Sequence, residues 1–384
     1  YIRNSGLYNE FVKRVTQYYL TRQKSVGTAK WTNQSISFEP SVGQDIVVQM
    51  MTETGRVSIF RGTRVISAAK SGNKVVSLTT NTNQTFSAKV FIEATETGDL
   101  LPIIGARYRV GNTDSTTLNP QACIQDITYP ATIKKYPIGQ MPAGLFLANK
   151  PPGYDVAKAY FAGFITRNGS TWIGPGPYNF PFHNAYRGQP NRSDPQNYTA
   201  ANATEAAKIS KTAINWANDY PSDIQQSTLL GIEYLENPVR RSALNCEAKL
   251  FTLQFIYYIQ HDLGEPNWSV ANDEGFGQGF TTGCANIPAE FKTVEKYFPP
   301  IPYIREGRRG IGMYTLTSAD QKRVPPATGL PAKIFSSAIA IGAYDSDLHG
   351  CFTDDTLETI DGRRETTADF HTGGVFQIPF ESLI

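Results

Sequence analysis

Residues 89–111, "KVFIEATETGDLLPIIGARYRVG", carry the reading of the fold. The β-branched and aromatic run Val90, Phe91, Ile92 stops abruptly at small and polar residues, and a second apolar run starts at Leu100. The first run predicts a buried strand, the second a helix. A strand ending in small residues brings backbone close to whatever lies above it. Gly98 permits a tight turn, and Asp99 can cap a helix beginning at Leu100. Two readings stand. One is a plain strand-to-helix corner. The other is a binding site, because the unpaired N–H groups of a helix start favour anions and ligands of open α/β sheets bind beyond the strand ends.

Upstream of this corner, Leu7, Phe11, Val15 and Tyr19 recur every four residues and predict an amphipathic helix. "SVGQDIVVQMMTETG" predicts a second helix, with Ser41 as N-cap and Gly55 as the stop. From Arg56 the period shifts to that of strands. "RVSIF", "TRVISAA", "KVVSLTT" and "TFSAKVFIEAT", punctuated at Ser71-Gly72-Asn73 and from Asn81 to Gln84, predict a β-meander leading to Thr95. Downstream, residues 112–200 are rich in Pro, Gly, Tyr and Asn. Helices are expected at "TEAAKISKTAINWANDY" and at "NPVRRSALNCEAKLFTLQFIYYIQHDLG", where Pro238 suits a first turn and the broad apolar face predicts burial. "SAIAIGAYDSDLHG" reads as a strand.

Bulk properties exclude several classes. The 384 residues can bury a sizeable core and suggest two or three domains. With 36 basic and 34 acidic residues there is no net field for nucleic acid or an anionic membrane, and no apolar run is long enough to span a bilayer. Cys123, Cys246, Cys284 and Cys351 form no CxxC, so buried or idle thiols are expected rather than a disulfide scaffold or a zinc ribbon. Seven Asn-x-Ser/Thr sequons, at Asn33, Asn83, Asn168, Asn191, Asn197, Asn202 and Asn267, read mostly as accidents of an Asn- and Thr-rich chain.

Two further motifs carry chemistry-bearing residues. "PPIPYIREGRRGIGMYTLTSAD" clusters Arg305, Arg308 and Arg309 around Glu306, close to Tyr303. Such forks bind carboxylate or phosphate, or close an internal ion-pair network. In "GAYDSDLHG", Asp345, Asp347 and His349 share one face of a strand. They suit a metal or a proton relay, although an unpartnered histidine is more often structural. The D-x-D-x-x-G start resembles a calcium loop, but Thr356 stands at the twelfth position where that loop needs Glu. "GFGQGFTTG" follows a polar loop with the wrong spacing, so no dinucleotide G-x-G-x-x-G is present.

The sequence "IEATETGDLLPIIGARYRVG" resembles the strand-and-helix motif of FAD-dependent oxidoreductases with a glutathione-reductase-type flavin fold, with Glu93 where that family usually has Asp. The Tyr303-x-Arg305-Glu306-x-Arg308-Arg309 run and Asp347-x-His349 are similar to motifs of the same family. The resemblance implies an α/β (mixed α+β) chain. Residues 1–111 would form a partial FAD-binding domain with β-meander, residues 112–345 a substrate domain, and residues 346–384 a return segment. It implies FAD as cofactor, near Ala94, Thr95, Glu96, Gly98 and Asp99. It implies a small-molecule substrate oriented by Arg305, Arg308 and Arg309, with Tyr303 nearby, Glu306 pairing with the arginines, His349 transferring a proton and Asp347 orienting it. No metal is implied. Because the family's G-x-G-x-x-G segment and last flavin segment are missing, the expectation is an internal fragment that binds FAD weakly or not at all. Two other classes compete: a secreted carbohydrate-binding module using the aromatic stretch from Tyr178 to Tyr186, and a flavin-independent lyase or hydrolase using Asp345, Asp347 and His349.

Overall fold

The computed structural model describes residues 6–24, 26, 36–113, 115–168, 171–173, 187–194, 203–215, 217–225, 228–276, 283–316, 320, 333–342, 349–351, 359–360, 363–364 and 376–384. The chain is a mixed α/β protein built around two apolar clusters.

The first helix, Gly6–Leu20, buries Val15 and Tyr19 against Val42 and Ile46 of the second helix, Pro40–Thr52. That second helix begins earlier than the Ser41 cap predicts. Pro40 occupies the first turn, where its missing N–H is no loss. Ser41 is thereby inside the helix, and its amide and hydroxyl donate to Glu274 at 3.1 and 2.9 Å.

Strands Val65–Ser71, Lys74–Thr80 and Thr85–Ser87 form the expected antiparallel meander, turning at Gly72 and Asn83 with positive φ. The expected strand at 90–92 is different. It runs outside any sheet, with Val90 and Ile92 72% and 83% exposed. A strand needs a neighbour to satisfy its backbone. The third meander strand pairs back onto the second, and no described residue lines up alongside 90–92. Every strand pairing among the described residues is antiparallel.

The larger core lies downstream. Strand Ala131–Lys135 is flanked by Lys211–Ile214 and Trp268–Val270, and the helix Pro238–His261 packs nearby. The Asn237 side chain caps that helix by accepting from the amides of Val239 and Arg240 at 3.0 and 3.1 Å, and Pro238 opens it. Phe251 and Phe255 of this helix stack on Phe161 from helix Tyr154–Phe164, at centroid distances of 5.1 and 4.5 Å. The predicted helix over 204–220 is a correction. Only Ala203–Ala206 is helical, and Lys211–Ile214 and Asp219–Tyr220 are strands. Pairing of Lys211–Ile214 with Ala131–Lys135 buries Ile214 completely, a tertiary gain that overrides modest local helix propensity.

The cysteines also correct the expectation of free thiols. Cys123 is bonded to Cys351 and Cys246 to Cys284, with no free cysteine. The first pair is 228 residues apart in sequence, so only the fold brings it together. No helix among the described residues is long and apolar enough to cross a membrane.

A buried charge cluster ties the second helix to the larger core. Lys211 has a fully buried side chain, and its ammonium reaches Glu39 at 2.5 Å, Glu274 at 2.6 Å and Asp273 at 3.0 Å. These three carboxylates lie close enough to hold a metal, but the Lys211 ammonium bonds all three. Burial opposes the charge on Lys211, yet the surrounding carboxylates outweigh it and raise its pKa. Lys211→Met would leave Glu39 and Glu274 facing one another without their cation, with Asp273 keeping Lys134 at 3.1 Å. A loss of about 3–5 kcal/mol is expected in urea unfolding. An unchanged midpoint would show that the cluster does not hold the two parts together.

Candidate functional site

Residues 123–128 form the spine of the site. Cys123–Ile124 pairs with Leu230–Gly231, and Ile127–Thr128 pairs with Asp219–Tyr220. On its other side Thr128 bridges to Tyr303, exchanging backbone hydrogen bonds of 3.0 and 2.7 Å. These pairings bring Asp219 and Arg305 to the same stretch of the spine. Arg305 donates one N–H to the Asp126 carbonyl at 2.8 Å and another to Asp219 Oδ1 at 2.9 Å. The Thr128 hydroxyl donates to the same Asp219 oxygen.

His349 completes the group. Its Nδ1 lies 2.5 Å from Asp219 Oδ2. The His349 carbonyl accepts from the Asp126 amide at 2.9 Å, and its amide donates to Gln125 Oε1 at 3.3 Å. Burial opposes ionisation of Asp219, but the His349 hydrogen bond, the Arg305 charge and the Thr128 hydroxyl outweigh it and hold the carboxyl below its ordinary range. An ionised carboxylate only accepts, so Nδ1 carries the proton and Nε2 is the basic nitrogen. The imidazole is one-third exposed, while Asp219 and Arg305 are nearly buried. Tyr303 is half exposed, with the Arg305 guanidinium 4.9 Å from its ring centre.

The same stretch of chain reaches the corner at 93–100. Gly307 crosses Glu96 so closely that a Cβ on it would lie 2.3 Å from the Glu96 carbonyl oxygen. Next to it, Arg308 is almost buried and all three of its guanidinium nitrogens donate inward, to Asp99 at 2.7 Å, the Thr97 carbonyl at 3.0 Å, Glu236 at 2.8 Å and the Leu235 carbonyl. Arg241 grips Asp99 from the other side with two bonds of 2.8 and 2.9 Å. Asp99 therefore does not cap the following helix, Leu100–Ile103. Glu93 does that work. Its carboxylate accepts from the Thr95 and Leu100 amides at 2.6 and 2.7 Å, which spans the corner in a way its extra methylene permits. Thr95 Oγ1 accepts from the Gly98 amide at 3.1 Å, and Gly98 takes φ +63°.

Several sequence candidates are thus gathered into two joined groups. Arg305 and Tyr303 stand with His349, and Arg308, Gly98 and Asp99 stand at the corner. Glu306 accepts from the Gln125 amide at 3.1 Å and pairs with Arg309, which also donates to the Gly111 carbonyl at 2.6 Å. Ala94, Thr95 and Glu96 are exposed. Asp345 and Asp347 lie outside the described residues, as does Tyr178 to Tyr186. The carboxylate that holds His349 is Asp219, which sequence reasoning missed, together with Thr128, Glu236 and Arg241. One signal was present: "QDITYP" places Asp126 and Thr128 on alternate positions of an apolar run, the mark of a polar stripe within a strand.

A comparison of the whole chain with known families places it in one of them. The chain belongs to the FAD dependent oxidoreductase family, whose model matches residues 1–384, and that family binds FAD. No curated protein and no solved structure matched. Residues 94–96 leave backbone and polar groups open at the corner, as a bound dinucleotide would need. Three residues without bulky apolar side chains are exposed in a row, and the backbone amides of Ala94 and Glu96 take no partner among the described residues.

Asp99 gives a pH test of the corner. Burial opposes its ionisation, but Arg241 and Arg308 outweigh that and lower its pKa from 3.8 to about 2. A folded pKa below the unfolded one means stabilisation that is complete above 3.8 and lost as pH falls through about 2. Asp99→Asn should therefore destabilise the protein near neutral pH, and the gap from wild type should close on acidification. Urea midpoints across that range check it; a gap independent of pH would mean that the charge is not what holds the corner.

Proposed function

We propose that this chain works as a flavin-dependent oxidoreductase in which His349 moves the proton that accompanies oxidation or reduction of a small substrate. The observation that carries this reading is the Arg305–Asp219–His349 group joined through residues 305–308 to the corner proposed to face FAD. Three residues of extended chain span roughly 10 Å. The segment therefore carries the histidine group at one end and the corner at the other, and we assign the substrate to the space between them.

FAD when bound supplies the electron transfer, and the protein supplies binding, orientation and proton handling. In this reading Ala94, Thr95, Glu96 and Gly98 line the cofactor, whereas Asp99 and Arg308 brace the wall from behind. Asp219 fixes the tautomer of His349 and stabilises the imidazolium once Nε2 has taken a proton. Arg305 keeps Asp219 ionised. Tyr303 and Arg309 present the polar surface for the substrate, and Glu306 orients Arg309. Residues 1–111 would then be the flavin-side part, 112–345 the substrate part and 346–384 the return segment that brings back His349.

Two measurements test it. Titration of FAD with the chain should give a weak, saturable flavin difference spectrum. Glu93→Ala, which removes both hydrogen bonds across the corner, should abolish it, and His349→Gln should leave it in place. No spectral change with the wild-type chain would refute the corner as a flavin wall. With a substrate identified, His349→Gln and Asp219→Asn should each slow flavin reduction about 10²- to 10⁴-fold, the range of general acid–base catalysis. Full rates in the histidine variant would remove His349 from the mechanism.

A further inference from the structure

The disulfide Cys123–Cys351 joins the two segments that build the histidine site. Cys351 is two residues from His349, and Cys123 is two residues from Gln125 and three from Asp126, the residues that hold the His349 backbone. We propose that this disulfide is a positioning bond, fixing His349 against Asp219, so that opening it releases the imidazole. The inference rests on the reading of His349 as the proton carrier only for its functional consequence.

The two ends of the bond are held differently among the described residues. Cys123 sits in a strand paired with Leu230–Gly231, and it exchanges bonds with Asn112, whose side-chain oxygen accepts from the Cys123 amide at 3.0 Å and whose amide donates to the Cys123 carbonyl at 2.9 Å. Cys123 is a fixed post. Cys351 instead ends a tight turn, donating its amide to the His349 carbonyl at 3.1 Å over Gly350 at φ +82°. A Cβ on Gly350 would stand 2.2 Å from Asp126 Oδ1, so the turn lies flat on the spine. Among the described residues, the turn is drawn to the spine and to Asp219 by a backbone hydrogen bond, a long bond to Gln125, the imidazole–carboxylate bond and the disulfide. The hydrogen bonds exchange with water at a partly exposed site. The covalent bond does not, and it keeps the imidazole at high effective concentration beside Asp219. The second disulfide, Cys246–Cys284, ties the helix Pro238–His261 to the loop ahead of Ala289–Phe291 and involves none of these residues.

A dithiol opens the bond by exchange. Its thiolate attacks one sulfur, the Cys123–Cys351 bond breaks, and the dithiol closes to its own disulfide. Two electrons and two protons are left on Cys123 and Cys351 as thiols.

Histidine NMR on the full chain, with imidazole nitrogens labelled, tests the proposal without flavin or turnover. The chain has four histidines, and His349→Gln identifies the relevant signal. The oxidised protein should show a far-downfield, slowly exchanging Nδ1 proton from His349. Dithiothreitol treatment that leaves Cys123 and Cys351 open to alkylation, read by mass spectrometry, should abolish that signal while far-ultraviolet circular dichroism stays unchanged. Cys123→Ser/Cys351→Ser should lose it without reductant, and Cys246→Ser/Cys284→Ser should keep it. Where the serine variant does not fold, the reduced wild type decides; where dithiothreitol does not reach the bond, the variant decides. The proposal is overturned if the signal is absent from the oxidised protein, if it survives opening of the bond, or if the whole chain unfolds when the bond opens. Loss of the signal alongside normal turnover by His349→Gln would sink the catalytic reading and leave the positioning role standing.

Discussion

An arginine with almost no access to water must find a partner for each of its guanidinium nitrogens inside the protein. Arg308 meets that demand with Asp99, Glu236 and the carbonyls of Thr97 and Leu235. The requirement locks three separate pieces of chain together: the corner after the meander, the segment before the long helix, and the arginine stretch itself. An unpaired buried charge would cost several kcal/mol, so these pieces form together or not at all. Gly307 then has to be glycine, because its backbone passes against the Glu96 carbonyl with no room for a side chain. The position of Arg305 follows. Two residues before that crossing the chain is already fixed, and its guanidinium is delivered to Asp219. Burial of one cation at the corner thus sets the geometry of the histidine site.

Local patterns were legible in the sequence and long-range ones were not. The spacing of Val15 and Tyr19, the turns at Gly72 and Asn83, and Pro238 in a first helical turn depend on neighbours within a few residues, and all stand as read. The 204–220 segment failed because strand pairing with Ala131–Lys135, some 80 residues upstream, outweighs intrinsic preference. The 90–92 run fails as a strand for the complementary reason: its composition is right, but a strand also requires a partner that no described residue offers.

The site divides along the same line. Arginine clusters are visible in sequence, yet the partner of each is not. Arg308 and Arg305 stand three residues apart and do unrelated work, one bracing a corner and the other holding a carboxylate. Asp219 left no motif because its importance comes from two pairings of Thr128 that bring Arg305 to it and from the Asp126 and Gln125 bonds that bring His349. Glu93 in place of Asp was visible as a departure from the family pattern, and its physical meaning came only from the structure. The longer side chain reaches both the Thr95 and Leu100 amides, which leaves Asp99 available to the arginines. The disulfides are the limiting case, since separation in sequence says nothing about proximity at 228 residues.

The chemistry of His349 depends on how completely Asp219 is occupied. One carboxylate oxygen takes the Arg305 and Thr128 donors, and the other takes Nδ1. With both oxygens accepting, the carboxylate gains nothing by protonation, so the proton between it and the imidazole stays on nitrogen. The basic lone pair is then confined to Nε2, and taking up a second proton there creates a cation beside an anion rather than in isolation. A lysine at 305 would keep the charge but lose the planar fork that reaches Asp219 and the Asp126 carbonyl at once. That fork couples the carboxylate to the same spine that carries Cys123, so the acid–base group and the disulfide are fixed to one short stretch of chain.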